Sequence, residues 1–360
     1  MRNYDFHGLF SLSTNTPYFE GLLHSFKGVE KATIGLRFHL DNSLKVSTRG
    51  KPSINLMLRW NPQDESIEFS YPWIAPIAAK LVFVDDTSEY TFTFNKNYLR
   101  FSKIVAEGWE LIDIFRSILQ LALIERGMYM VHGAAVSLGE EGILIPSFGN
   151  TGKTTSAWML ARRGAGFVTD EFAILDSEGR CFGFPCSSLV SAGLVKSAGL
   201  RLTKKQTLSL KARDVRSKVL STRFAPGGVK LYPDDNFKTC DRVGITRLAF
   251  IQNGLDDLRQ IEAEEAYTLL RAIQDYELNW RSNPYIIARS FFRPGFNPTD
   301  ISAREEKIMK LLISQVRGSY LVSSSKGLHY QTIEKIPEMF PMEEQTISHT
   351  IHKGSAPGPS

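Results

Sequence analysis

The stretch Ile143-Leu-Ile-Pro-Ser-Phe-Gly-Asn-Thr-Gly-Lys-Thr-Thr155 constrains this chain more than any other, because its three parts need one another. The branched apolar residues Ile143 to Ile145 read as a buried strand, the glycine-containing run as a loop, and Thr154 to Arg163 as a helix closed by Gly164. A strand passing through such a loop into a helix presents consecutive backbone N–H groups, and the positive end of the helix, to an anion. Gly149 and Gly152 permit the backbone angles that this cradle requires. The phosphate-loop pattern asks for Gly, four residues, then Gly-Lys-Ser/Thr. Its second half is complete here, and Ser147 stands where the first Gly is expected. The predicted nucleotide-binding set is therefore Ser147, Phe148, Gly149, Asn150, Thr151, Gly152, Lys153, Thr154 and Thr155. Lys153 would reach the terminal phosphates, and Thr154 would offer its hydroxyl to Mg²⁺.

A phosphate loop also needs a carboxylate that holds Mg²⁺ or its water, usually at the end of a neighbouring strand. Asp170-Glu171, following Gly166-Phe-Val-Thr169, is the candidate pair. It sits between two apolar strand runs, where exposed charge has no structural purpose, and a phosphoryl acceptor needs both a metal ligand and a base. The ordinary alternative for adjacent acids is a solvated turn. His132, in Met130-Val-His-Gly-Ala-Ala-Val136, is a third candidate. If its strand lies beside the loop strand, the ring approaches the Asp170 carboxylate and tunes its proton affinity. A satisfied core histidine is the alternative there.

The rest of the chain divides around this motif. Residues 1–106 contain short alternating or apolar runs, Ala32 to Leu40, Ile54 to Trp60, Leu81 to Val84 and Tyr90 to Phe94, and read as a β-rich N-terminal domain. Glu107 to Gly127 is a helix apolar on most faces, placed between two layers at the domain joint. Strands and helices then alternate through 107–340, which predicts an α/β domain. Residues 341–360, ending Gly-Ser-Ala-Pro-Gly-Pro-Ser, bury too little surface to order themselves. With 42% apolar residues, both domains can build a core. The cysteines, Cys181, Cys186 and Cys240, are odd in number and without paired short spacing, which argues against a disulfide framework or a zinc cage and for a reducing interior. The N-terminus lacks the apolar core of a signal peptide, so a cytoplasmic protein is expected. The most apolar stretch, Trp109 to Met130, contains Asp113, Arg116, Glu125 and Arg126, so a buried helix is cheaper than a membrane span.

Rival readings are weaker. Asp176-Ser-Glu-Gly179 imitates a GTPase motif but reads as a hairpin turn, and Asn95-Lys96, the one Asn-Lys pair, lies upstream of the loop and is followed by Asn-Tyr. Lys196 to Lys230 holds ten basic residues against one acidic residue, Asp214, yet has Phe224 as its sole aromatic. Nucleic-acid-binding stretches carry aromatics for stacking or a recognisable module, so a solvated face or a basic flap near an anionic site is the simpler meaning. Arg281, Arg289 and Arg293 could face a phosphoryl group, but structural salt bridges are the default for each, and none is assigned a catalytic role.

Taken together, His132-Gly-Ala-Ala-Val, a short hairpin, the Ser147 to Thr155 loop, a helix ending Arg162-Arg-Gly164 and Val168-Thr-Asp-Glu-Phe-Ala-Ile-Leu175 resemble the catalytic core of HPr kinase/phosphorylase and its relatives. The likeness covers about 45 residues, His132 to Asp176. It implies a phosphate-loop α/β fold of the HPr-kinase and PEP-carboxykinase type and an ATP- and Mg²⁺-dependent kinase with a hydroxyl acceptor. It further implies Asp170 as catalytic base with His132 beside it, Lys153 on the transferring group, and Thr154, Asp170 and Glu171 around the metal. Glu171 replaces the second aspartate of the family's pair. Lys230, in Gly227-Gly-Val-Lys-Leu-Tyr-Pro233, would contact phosphate, an ordinary surface lysine being the alternative. The family's segment rich in Glu-Ala-Ala and Asn is not found, so phosphorylase activity and an HPr substrate are not implied. The chain looks more like divergent relatives that accompany natural-product gene clusters, some similar to lasso-peptide tailoring kinases. The expected acceptor is a serine or threonine of a peptide or protein, or a small-molecule alcohol; a non-catalytic nucleotide-binding scaffold stays open. No nucleic-acid or membrane partner is expected, and relatives assemble into homo-oligomers.

Overall fold

Alternation of apolar and polar residues in the first hundred positions builds a seven-stranded sheet. Its strands are β1 (Arg2–Phe6), β2 (Phe10–Thr14), β3 (Ile34–Leu40), β4 (Leu58–Asn61), β5 (Ser66–Tyr71), β6 (Ile77–Val84) and β7 (Glu89–Phe94), in the order β1-β2-β3-β7-β6-β5-β4. The β2–β3 and β3–β7 pairs are parallel and the others antiparallel. In β7 the period of two is explicit: Tyr90, Phe92 and Phe94 are buried, while Glu89, Thr91 and Thr93 are half-buried. The computed structural model describes residues 1–20, 26, 32–46, 51–55, 57–71, 76–84, 89–102, 110–184, 186–200, 202–219, 229–293 and 295–336. The tail 341–360 and Phe224 of the basic segment lie outside the described residues.

A short helix α1 (Lys96–Phe101), capped by Asn95, precedes α2 (Leu111–Glu125). Ile114, Phe115, Ile118 and Leu119 of α2 join the core under the first sheet, while Leu121 and Ile124 join a second core. A helix apolar on most faces thus serves two layers, as its sequence predicts. The first core also takes in Phe172, Phe182, Phe184 and Tyr285 from the second half of the chain.

The second sheet contains β8 (Tyr129–Leu138), β9 (Glu141–Pro146), β10 (Gly166–Thr169), β11 (Phe172–Leu175) and β12 (Arg180–Phe182). A separate ladder of β13 (Ser188–Val190) and β14 (Val229–Leu231) follows, and the main sheet resumes with β15 (Arg242–Asn253), β16 (Asp257–Ile261) and β17 (Gly318–Ser324). Strand β9 lies between β8, antiparallel to it, and β15, parallel to it. Buried on both faces, it reads as a nearly continuous apolar run. The other edge of β8 pairs with β11 along its first half and with β10 along its second. The remaining helices are α3 (Lys153–Arg162), α4 (Ala192–Ser197), α5 (Lys204–Val219), α6 (Ala263–Glu277), α7 (Pro284–Phe292), α8 (Pro298–Gln315) and α9 (His329–Ile333). Residues of α3 and α9 pack on one face of this sheet, and residues of α2, α6 and α8 on the other. The result is a mixed α/β protein with two mixed sheets. Among the described residues, no helix is long and apolar enough to cross a membrane.

The expected strand Ile54 to Trp60 begins only at Leu58. The Asn55 side chain accepts from the N–H groups of Met57 and Leu58, each at 2.8 Å, and so holds the preceding residues in a turn.

Candidate active site

Strand β9 delivers the chain into the predicted loop with two residues in the left-handed region, Asn150 at φ 63° and Gly152 at φ 108°. Asparagine tolerates that region, and glycine is required at 152, where an added Cβ would stand 3.2 Å from His329 Nδ1. Helix α3 starts at Lys153 with no side-chain cap among the described residues, leaving its first N–H groups for an anion. Gly133 of β8 sets the root of the loop. A Cβ there would lie 3.0 Å from the Ile145 carbonyl oxygen and 3.2 Å from Pro146 Cα, so only glycine lets β8 approach β9 this closely.

A cleft of about 940 Å³ opens below the loop. Gly149, Asn150, Gly152, Lys153, Thr154 and Thr155 line it. The other three predicted loop residues brace the loop instead. Ser147 is fully buried and its carbonyl accepts from His132 Nδ1 at 2.9 Å. Phe148 meets Tyr276 edge to face at 5.7 Å, and the Thr151 hydroxyl donates to the Phe148 carbonyl at 2.7 Å.

Asp170 and Glu171 occupy the break between β10 and β11, opposite the middle of β8. The chain bends at both residues, and the two carboxylates enter different surroundings. Asp170 is buried, accepts a hydrogen bond from the Ser188 hydroxyl at 2.5 Å and another from Thr154, and has the Cys186 sulfur 3.8 Å away. Burial, opposed by the Ser188 bond and reinforced by the neighbouring Glu171 charge, pushes its carboxyl up to about 6. Glu171 meets three positively charged or protonatable groups: Arg116 Nη2 at 3.0 Å, Lys153 Nζ at 3.6 Å and His132 Nε2 at 3.9 Å. Burial pulls it upward, but Lys153, Arg116 and His132 together prevail and hold it below the ordinary glutamate value.

His132 therefore faces Glu171, not Asp170 as the sequence predicts. The register puts His132 opposite Phe172, and the bend of the chain at Asp170 and Glu171 overrides strand alternation, bringing the Glu171 carboxylate, not that of Asp170, to the ring. Burial and the Lys153 charge push the ring below its usual value despite Glu171 and Glu277, and its Nδ1 donates to the Ser147 carbonyl. Its Nε2 faces Glu171 at 3.9 Å.

Several lining residues carry no motif. Arg116, from the middle of α2, looks in sequence like a stray charge on an apolar helix. Glu277, the last residue of α6, accepts from the Gly149 N–H at 2.5 Å, so a carboxylate already sits on the anion cradle. Tyr18 and Phe19, from a single turn at Pro17–Phe19, bring the first sheet's part of the chain to the cleft. The β13–β14 ladder delivers both Ser188 and Lys230, pairing Ser188 with Leu231 and Leu189 with Lys230. Arg281, Arg289 and Arg293 lie elsewhere: Arg281 binds Glu305 and Ser302, Arg289 lies between the Phe83 and Phe296 rings, and Arg293 pairs with Glu65.

The cleft is lined by three fixed cations, Arg116, Lys153 and Lys230, and three carboxylates, Asp170, Glu171 and Glu277. Among the described residues, no group of three or more His, Cys, Asp or Glu side chains forms a metal cage. Thr154 and Asp170, a hydroxyl and a carboxylate in contact, nonetheless suit Mg²⁺, which takes one or two protein oxygens and completes its shell from phosphate and water. No protein-family model matches the chain, and no curated protein matches it significantly.

Proposed function

We propose that the protein is a phosphotransferase of the HPr-kinase-like, phosphate-loop type, which moves the γ-phosphoryl group of ATP to a hydroxyl. Asp170 carries the reading. It shares one cleft with Lys153 and Thr154, holds its proton more tightly than an ordinary carboxyl, and already accepts a hydroxyl hydrogen, that of Ser188, at 2.5 Å. An acceptor hydroxyl in the same relation would give its proton to Asp170 as its oxygen bonds to the γ-phosphorus. The bond from that phosphorus to the bridging oxygen breaks, and ADP leaves. A carboxyl with affinity near neutrality is the better base for this work.

Lys153, now 3.6 Å from Glu171, would turn its charge to the terminal phosphates. Bound Mg²⁺, held by Thr154 and Asp170 with Glu171 beside them, would supply charge neutralisation on the phosphates. Tyr18, Phe19 and Ile112 give the cleft an apolar side suited to the carbon skeleton of the acceptor. That favours a serine or threonine in a peptide or protein, with a small-molecule alcohol as the alternative.

The test is phosphate transfer by the purified protein with ATP and Mg²⁺ to peptides encoded by neighbouring genes, run beside Lys153→Ala. Loss of roughly a hundredfold to a thousandfold in the variant is expected, the cost of deleting one charge aimed at the transferring group. Tight ATP binding with no transfer to any acceptor would refute the enzyme in favour of a nucleotide-dependent scaffold.

A further inference from the structure

A hydroxyl of the chain itself already stands in an acceptor's relation to Asp170. Ser188 lines the cleft with Lys153, Thr154 and Lys230, and its hydroxyl donates to Asp170 Oδ2 at 2.5 Å. The same carboxylate takes a hydrogen bond from Thr154, the second residue of α3. Asp170 thus joins the start of the anion-binding helix to Ser188 of β13, well beyond it in the chain. The proton that an attacking hydroxyl must lose is directed at the group that would take it.

Two neighbouring hydroxyls of the cleft have other work. Ser191 turns its oxygen to the Leu194 N–H at 3.2 Å and caps α4. Thr154 belongs to the loop, where its oxygen suits Mg²⁺. Ser188 is held for neither purpose. The β13–β14 ladder fixes its backbone by pairing it with Leu231 and pairing Val190 with Val229, and Val190, Val229 and Leu231 are all buried. At 6% exposed, the Ser188 side chain lies within the wall of its own cleft, out of reach of a second copy's active site. Well-oriented reactants held in one molecule reach effective concentrations on the order of 10⁵ M and above, far beyond any dissolved acceptor.

We propose, resting on the phosphotransfer reading, that Ser188 is a site of self-phosphorylation and that phosphoserine there closes the cleft to external acceptors. Ser188 Oγ bonds to the γ-phosphorus of ATP as its hydroxyl proton passes to Asp170. The bond from that phosphorus to the bridging oxygen breaks, and ADP leaves. The new group carries a charge of about −1.5 to −2 at pH 7. It sits beside Asp170, in the place from which an external hydroxyl would meet that base, so the modified chain transfers nothing further.

The test is incubation of the full chain with Mg²⁺ and ATP radiolabelled at the γ-phosphorus, with and without a serine-containing peptide, followed by tryptic digestion and fragmentation mass spectrometry. Label on Ser188, within the fragment Cys181 to Lys196, is the expected result. It should be lost in Lys153→Ala, form with a first-order rate constant independent of protein concentration, and lower transfer to the peptide in proportion to the fraction modified. Phosphate on the peptide with Ser188 unmodified, label confined to Ser187 or Ser191, or a rate constant that rises with protein concentration would overturn Ser188 as self-acceptor while leaving the phosphotransfer reading in place. Bound ATP with no phosphate on either Ser188 or the peptide, or label undiminished in Lys153→Ala, would sink both.

Discussion

Replacing Asp170 with asparagine should stabilise the fold while abolishing transfer. The carboxyl is pushed up to about 6 from an ordinary 3.8, chiefly by burial. One pKa unit corresponds to about 1.4 kcal/mol, so keeping Asp170 ionised at pH 7 costs the native state about 3 kcal/mol. The sign follows from the proton count. Between the unfolded value and about 6, the folded chain holds a proton that the unfolded chain has lost, so this group's contribution to stability falls as pH rises through that window. Below it the cost vanishes, and above it the cost is constant. Asparagine is neutral throughout and keeps an oxygen for the Ser188 hydroxyl, but its N–H₂ would face the Cys186 sulfur, a poor acceptor. A net gain of about 1–2 kcal/mol at pH 7 is therefore expected, smaller than the full desolvation cost. Urea denaturation of both proteins at pH 7 and pH 4 measures it. The Glu171 contribution, with the opposite slope, is common to both proteins and largely cancels in the difference. A variant less stable than wild type at pH 7, or an advantage of equal size at both pH values, would show that Asp170 is not a buried charge held against its preference.

Glu277→Gln should raise ATP affinity about tenfold by calorimetry, since the carboxylate on the Gly149 N–H must leave before a phosphate can take that donor. Equal or weaker binding would mean that Glu277 supports the loop and does not compete with its ligand. Gly133→Ala should cost about 1–3 kcal/mol in denaturant unfolding, because the new methyl would meet backbone atoms of Ile145 and Pro146 that cannot rotate aside. An unchanged midpoint would show that β8 and β9 have room to part at the root of the loop.

What the sequence made legible is what the local backbone dictates. The β9–loop–α3 unit can be read because Gly149, Gly152 and the apolar run before them allow few other conformations. Helix α2 can be read because a segment apolar on most faces has to lie between layers. Strands β1 and β2 carry the period of two in Tyr4 and Phe6 and in Phe10 and Leu12. At five residues each, they offer too few repeats to distinguish a strand from irregular chain.

The site divides along the same line. Adjacency identifies Asp170 and Glu171 as a pair, but which of them faces His132 depends on how the β10–β11 break sits on β8, and only the bend of the folded chain decides that. Arg116 and Glu277 arrive on helices far along the chain from the loop, with no local pattern to announce them. Their arrival changes the chemistry. The loop on its own presents only N–H groups and Lys153, and would attract any phosphate. In the assembled cleft three carboxylates balance the three fixed cations, and one of them sits on the cradle itself. A bare polyphosphate gains little net Coulomb attraction from such a lining, and a divalent cation bound with it restores the excess of positive charge. On the phosphotransfer reading, charge balance, a property of the folded cleft and not of the motif, would tie nucleotide affinity to Mg²⁺.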